Sequence, residues 1–160
     1  MHFEVITKNS KLTPELLNIL QNEWPEAYGW LTDVMDGWSL TDFPQIVVAT
    51  ENKEIIGYYS LIAKELVQDN HDYTPWLGTL FVCAKYRGNH YSPILIEDAC
   101  RRVKNMGYNH LYLATEHIGL YEKFGFEEIG LGLYLWGAPT KFYRKTIYTY
   151  DNHDLKIKEN

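Results

Sequence analysis

Apolar and polar residues alternate well enough from Phe3 to Thr7 for a first strand, and a helix opens at Thr13-Pro14-Glu15. Thr13 reads as its N-cap and Pro14 as its first helical residue, where a missing N–H costs nothing. Leu16, Leu17, Leu20 and Trp24 share one face before Pro25 ends the helix. The pattern then loosens as far as Phe43, with Tyr28, Trp30, Met35 and Trp38 among acids and glycines, and predicts a short helix plus loops. Ile46 to Ala49 and Ile55 to Ile62 are strands joined by a polar turn at Glu51 to Glu54.

Trp76 to Cys83 is apolar at consecutive positions, the mark of a strand covered on both faces and so central in its sheet. A helix from Ser92 or Pro93 to Met106 follows. Leu95, Ile96, Ala99, Val103 and Met106 form its buried stripe, and Gly107 stops it. Its i,i+4 pairs, Glu97 with Arg101 and Asp98 with Arg102, read as a solvated face. Leu111 to Ala114 predicts a strand, Ile118 to Phe124 a short helix and Phe126 to Leu135 a strand. A hairpin at Gly137-Ala138-Pro139 leads into a last strand, Lys141 to Tyr150. The final ten residues are polar, although Leu155 and Ile157 alternate as a marginal strand does. This order predicts an α/β (mixed α+β) fold, a mixed sheet with helices packed on it. Without repeat or linker, residues 1–150 read as one domain and 151–160 as a polar tail.

The 160 residues suffice to bury a core without disulfides or metals. Thirteen tyrosines and five tryptophans suggest a flat pocket or groove as well as a core. A net charge of −6 with no Lys/Arg run argues against a nucleic-acid partner and favours a cation such as a protonated amine. Cys83 and Cys100 read as buried thiols in a reducing compartment. No signal peptide is evident and no apolar run approaches the roughly 20 residues of a membrane helix, so no membrane and a cytoplasmic location are expected. His71, His90, His110 and His117 lack ligand spacing and there is no Cys-x-x-Cys, so no metal is expected.

Chemistry concentrates in Leu80-Phe81-Val82-Cys83-Ala84-Lys85-Tyr86-Arg87-Gly88-Asn89-His90-Tyr91-Ser92: a buried strand, a polar turn, and a helix opening at Ser92-Pro93. Such a turn aims consecutive backbone N–H groups at one spot beside the positive end of a helix dipole, a place for a phosphate. Some 30 residues on, Leu120-Tyr121-Glu122-Lys123-Phe124-Gly125-Phe126 is a short helix closed by glycine.

Together these segments resemble the acetyl-CoA-binding core of the GNAT N-acetyltransferase superfamily. Asp72-Tyr73-Thr74-Pro75-Trp76-Leu77 and Leu111-Tyr112-Leu113-Ala114-Thr115-Glu116-His117 are similar to a bacterial small-molecule-type subgroup, so the resemblance spans roughly residues 45–130. The chain departs from the pattern at two positions. Ser92 replaces a small residue, a mild change, and His90 stands where a glycine belongs. Glycine adopts left-handed dihedrals freely; histidine visits them more than most residues. His90 therefore either fits the turn or weakens its grip on phosphate.

The resemblance implies a central mixed, mostly antiparallel sheet of six to seven strands flanked by about four helices. It implies acetyl-CoA as co-substrate and transfer of acetyl to a primary amine of a small molecule or peptide by direct attack. It places the cofactor along Leu80, Phe81 and Val82, with the phosphates at Arg87, Gly88, Asn89, His90, Tyr91 and Ser92. Thr115 and Lys123 complete that set, Thr115 being equally readable as a helix N-cap. Tyr121 aligns with the tyrosine that often acts as general acid. Trp76 to Thr79 holds none of the strand glutamates some members use as base, which leaves Glu116, His117 and Asp72 as candidates, Glu116 foremost, or no base at all. Tyr28, Trp30 and Trp76 are expected at the acceptor, where aromatics stack on a cation or a ring; Tyr28, Trp30 and Trp38, in the loosely patterned segment, are equally readable as core. The alternative of another class is a catalytically weak or inactive CoA-binding sensor or regulatory protein, which His90 and the missing strand carboxylate favour and Tyr121 disfavours. Acetylation of charged tRNA fits poorly with the charge. The family and the aromatic C-terminal strands suggest a homodimer.

Overall fold

The computed structural model describes residues 1–147, so the predicted strand end at Tyr150, the alternation at Leu155 and Ile157, and the tail lie outside the described residues. The alternating runs assemble into one sheet. Its strands are β1 (His2–Ile6), β2 (Gln45–Glu51), β3 (Glu54–Ile62), β4 (Trp76–Val82), β5 (His110–Thr115), β6 (Glu127–Leu133) and β7 (Pro139–Thr146). They pair in the order β1-β2-β3-β4-β5-β7-β6, antiparallel throughout except for β4 beside β5. The seven-stranded, mostly antiparallel sheet agrees with the expected class, and β4 takes the central place its continuous apolar run predicts.

Among the described residues there are three α-helices, α1 (Thr13–Glu23), α2 (Pro25–Val34) and α3 (Tyr91–Asn105), fewer than the four expected. The segment expected as a fourth forms a single 3-10 turn, Tyr121–Phe124, because Gly119 and Gly125, both at positive φ, close it at either side. Pro25 ends α1 and also opens α2: proline cannot extend a helix through its nitrogen, but its fixed φ suits a first turn. Thr13 does not cap α1. Its hydroxyl donates to the Thr7 carbonyl at 2.6 Å, tying the buried helix start to the end of β1.

Period-two alternation sends Val47 and Ala49 to one face of the sheet and Ile46 and Val48 to the other. On the first face α3 lays down Leu95, Ile96, Ala99 and Val103 against Tyr59, Leu61, Leu77 and Leu111. On the second, Leu16 and Leu20 of α1 and Ala27 and Leu31 of α2 cover Tyr58 and Phe81. Cys83 and Cys100 are buried and free.

Two sequence readings are corrected here. Asp98 does not lie on a solvated face: it is 6% exposed and accepts hydrogen bonds from the Tyr59 hydroxyl at 2.6 Å and from Arg102 Nε at 2.9 Å. The helix turns this one acid inward because β3 offers it a buried donor. Trp76 is no acceptor contact, being fully buried with its indole N–H donating to the Tyr73 carbonyl at 2.6 Å. Tyr73, Tyr112 and Phe142 surround its ring, so it is core. Trp38 is core as well.

Candidate active site

The site begins with a failure of strand pairing. β4 and β5 meet through one parallel pair, Trp76 with Tyr112, and then part. On its other side β4 stays paired with β3 as far as Val82, and the register skips Gly78, which sits in a bulge. From Gly78 onward the β5-facing peptide groups of β4 therefore lack ladder partners. The Val82 carbonyl is one exception, accepting Arg87 Nε at 2.9 Å. An open strand edge inside a sheet is a template for an extended ligand carrying amides of its own.

Across the opening stands Tyr121. The gap is a cleft of about 420 Å³ lined by Leu80, Phe81 and Val82 on one side, by His117, Leu120, Tyr121 and Phe124 on the other, and by Glu23 and Trp24 at the end of α1. Burial raises the Tyr121 phenol above its ordinary value, so it keeps its proton at neutral pH. Its ring is held edge-on against Phe124 and Phe126. Glu23 is engaged, its carboxylate accepting the Ala84 N–H at 2.7 Å.

Val82, Arg87, Ser92 and Phe124 also line a second groove, which carries the cleft on to Gly88, His90 and Tyr91. His90 takes the left-handed conformation, φ 59° and ψ 35°, directly before α3, and Gly88 has φ 84°. Histidine has thus adopted the backbone that glycine supplies more cheaply. Asn89 holds the turn from within, its side-chain amide donating to the Tyr86 and Arg87 carbonyls. Tyr91 points its hydroxyl at Glu51, 2.8 Å away. Among the described residues no acceptor meets the backbone N–H groups of Gly88 to Ser92. Five successive free donors at the positive end of a fifteen-residue helix form an anion cradle.

An open strand edge running into an N–H-rich turn fits a ligand with amides at one end and phosphates at the other. The model of the Acetyltransferase (GNAT) family matches residues 11–126. The chain belongs to that family.

The acetyltransferase fold is equally plain in solved structures. An aminoglycoside 6'-acetyltransferase type Ii matches with TM-score 0.72 and 23% identity, over 94% of this chain and all of that one. An aminoglycoside 6'-N-acetyltransferase complexed with coenzyme A also gives TM-score 0.72, at 21% identity, over 95% of this chain and 100% of its own. A GNAT family acetyltransferase from Elizabethkingia anophelis with acetyl-CoA bound gives 0.64 at 17%, over 91% and 97%. No curated protein sequence matches the chain.

Of the residues expected in the acetyltransferase site, Leu80, Phe81, Val82, Arg87, Ser92 and Tyr121 come together on the cleft, and Gly88, His90 and Tyr91 on its continuation. Others stand apart. The Thr115 hydroxyl is buried and accepts the His117 N–H at 3.1 Å, the turn-forming role rather than a cleft contact. Lys123 lines a separate groove with Gly125 and Lys145. Glu116 is exposed off the cleft, accepting the Tyr134 hydroxyl at 3.3 Å. Tyr28 packs on the core of α1 and α2. Trp30 lines a smaller pocket next to the cleft, sharing Trp24 with it. Phe124 borders the cleft, whereas Phe126 is core. Trp24 and Glu23 were not anticipated; a tryptophan at a helix end reads as the last member of an apolar stripe, and only the Pro25 junction turns it toward β4. Among the described residues no three His, Cys, Asp or Glu side chains cluster as metal ligands, and no helix is long and apolar enough to cross a membrane.

Proposed function

We propose that this acetyltransferase moves the acetyl group of acetyl-CoA to a primary amine of a small molecule or peptide by direct attack, with Tyr121 as general acid. The observation that carries the reading is the continuity of the open β4 edge with the free N–H groups of Gly88 to Ser92, facing Tyr121. Peptide groups of Leu80 to Val82 take the pantetheine amides, the turn takes the pyrophosphate, and Arg87 adds charge beside it. The acceptor nitrogen forms its bond to the thioester carbonyl carbon, the C–S bond breaks, and the sulfur receives the phenol proton. A phenol raised above pKa ~10 is a weaker acid than a thiol near ~8.5, so the proton moves as the C–S bond opens and not before it. Positioning, which the aromatic packing of Tyr121 supplies, then matters more than acid strength.

The sensor reading draws support from His90, but the left-handed backbone of that residue keeps the turn's shape. A thermal melt with acetyl-CoA tests the cofactor site. At about 100 times its dissociation constant the ligand adds ~2.7 kcal/mol, a rise in Tm of roughly 5–10 °C for a domain of this size. Absence of a shift at millimolar acetyl-CoA overturns the assignment. We further propose that two copies pair through the edge strand β6, which exposes Leu131 and Leu133 side by side. Sedimentation at the monomer mass at micromolar concentration refutes the pairing.

A further inference from the structure

We infer that the pocket beside the cleft, walled by Trp24, Trp30 and Trp136 with Glu65 in its lining, receives the acceptor as a small amine with one positive charge and an aromatic or aliphatic body, and that Glu65 takes the ammonium proton. The inference rests on the acetyl-transfer reading above and names the substrate class of that site.

Position comes first. Trp24 borders both spaces, and the Gly78-Thr79 stretch at the pocket's floor runs directly into Leu80 of the cleft. A ligand in the pocket therefore lies next to the strand segment that holds the thioester. Size comes second. The pocket measures about 250 Å³, under the ~300–1,000 Å³ typical of drug-sized ligands, and so holds a single ring with a short arm. Its walls are apolar, with Ile62 and Leu66 joining the three indoles. Trp136 is fixed by stacking on Tyr134, ring centroids 4.6 Å apart. Indole faces attract an organic cation and its hydrocarbon body together.

Charge comes third. Glu65 lies in the long β3–β4 connection, partly buried, with one carboxylate oxygen accepting its neighbour Leu66's N–H at 2.8 Å. No ion pair reaches it among the described residues. The titratable groups set near it by packed elements are Glu26 of α2 at the rim and Tyr134 of the β6–β7 hairpin, neither of them a cation. Burial accordingly pushes the Glu65 carboxyl up to about 7. A sequestered carboxylate without a counter-ion, in an aromatic pocket, gains its missing partner when an ammonium enters. Second and third ammonium groups, as on a polyamine or an aminosugar, find one further carboxylate, Glu26 at the rim, and otherwise meet apolar walls.

The same carboxylate is suited to proton removal at neutral pH. One proton passes from the ammonium to Glu65 and then to solvent. The freed lone pair forms the C–N bond, and the remaining surplus N–H proton is lost as the tetrahedral centre collapses. The C–S electron pair leaves on sulfur, which is protonated from Tyr121, and the phenolate recovers its proton from solvent. The balance is one amide, one thiol and one proton released.

The experiment measures thiol release with acetyl-CoA and a panel of phenethylamine, tryptamine, spermidine and kanamycin, on the wild type, Glu65→Gln and Trp30→Ala. The aryl amines are expected to show kcat/KM at least about tenfold above the polycations, rising between about pH 6 and 8 as Glu65 ionises. Glu65→Gln is expected to lower that value about 100-fold and flatten the rise, and Trp30→Ala to raise KM for the aryl amines. Both variants should keep the acetyl-CoA thermal shift. Preference for a polycation, or a Glu65→Gln profile like the wild type's, overturns the inference while an intact thermal shift leaves acetyl transfer standing. A wild type that acetyl-CoA does not stabilise overturns both.

Discussion

Tyr121→Phe is expected to lower kcat by about 10³-fold with any competent acceptor, the middle of the ~10²–10⁴ range for loss of a general acid. The substitution removes one oxygen and little else. The ring's edge-on contacts with Phe124 and Phe126 remain, so the Tyr121–Phe124 turn keeps its packing. The phenol's ionisation is perturbed by burial alone, with no hydrogen bond contributing, so its loss strands no partner. Acetyl-CoA binding, which draws on β4 and the turn before α3, should be untouched and the thermal shift unchanged. A proton delivered only as the C–S bond opens stabilises the transition state alone, so kcat and kcat/KM should fall together. Because burial raises this phenol, wild-type kcat should show no loss of acid function across neutral pH. A fall of less than about tenfold would assign the proton to water and remove Tyr121 from the mechanism. A full fall with binding retained also excludes the sensor reading, since a sensor has no turnover to lose.

Much of this site was readable along the chain, for reasons specific to each part. β4 declared itself because a strand covered on both faces must be apolar at consecutive positions. The turn at Arg87 to Ser92 declared itself as a polar break between an apolar strand and a helix start, whereas the fit of His90, which the sequence left open, is decided by its left-handed backbone. The parting of β4 from β5 did not, since one pair formed and later pairs missing is a property of how two distant strands meet. Nor could spacing tell Trp76 from Trp24. Both are large aromatics at a boundary of an apolar run, Trp76 opening one and Trp24 closing another, and burial among Tyr73, Tyr112 and Phe142 decides for the first what the Pro25 junction decides for the second. Glu65 stood in a loop without periodicity, where its surroundings come from α2 and the β6–β7 hairpin. Glu116 and Thr115 were placed by nearness in sequence to the aligned strand end. The chain turns there, with Thr115 serving the turn and Glu116 facing Tyr134.

Asp98→Ala is expected to destabilise the fold by about 3–4 kcal/mol, within the ~3–5 kcal/mol seen when one partner of a buried ion pair is removed. A solvated i,i+4 pair would cost only ~0.3–0.5 kcal/mol, so the two readings of this residue differ severalfold. The difference lies in what is left behind. Tyr59 is fully buried in β3 and its hydroxyl donates to Asp98, so truncation leaves that donor with nothing to meet. Arg102, its side chain 27% exposed, loses its carboxylate as well, as does Arg101 at the outer oxygen. Burial, reinforced by the Asp98 charge, holds the Tyr59 phenol far above its ordinary value, so it remains a donor at every working pH and cannot ionise to suit the change. In Tm the loss should read as roughly 10 °C, at ~2–4 °C per kcal/mol for a domain of this size. Asp98→Asn, which keeps an acceptor for Tyr59 but not the charge for Arg102, should fall about midway. Adding Tyr59→Phe to Asp98→Ala should recover part of the loss by removing the stranded hydroxyl, a coupling of about 1–2 kcal/mol in a double-mutant cycle. Urea unfolding that finds Asp98→Ala within 1 kcal/mol of wild type by linear extrapolation would return Asp98 to the solvated face. A confirmed loss makes the Tyr59–Asp98 contact the polar tie that fixes α3 on the sheet. The N-terminus of that helix carries the turn of free N–H groups, so the aim of the turn toward β4 is set by a carboxylate two helical turns into α3.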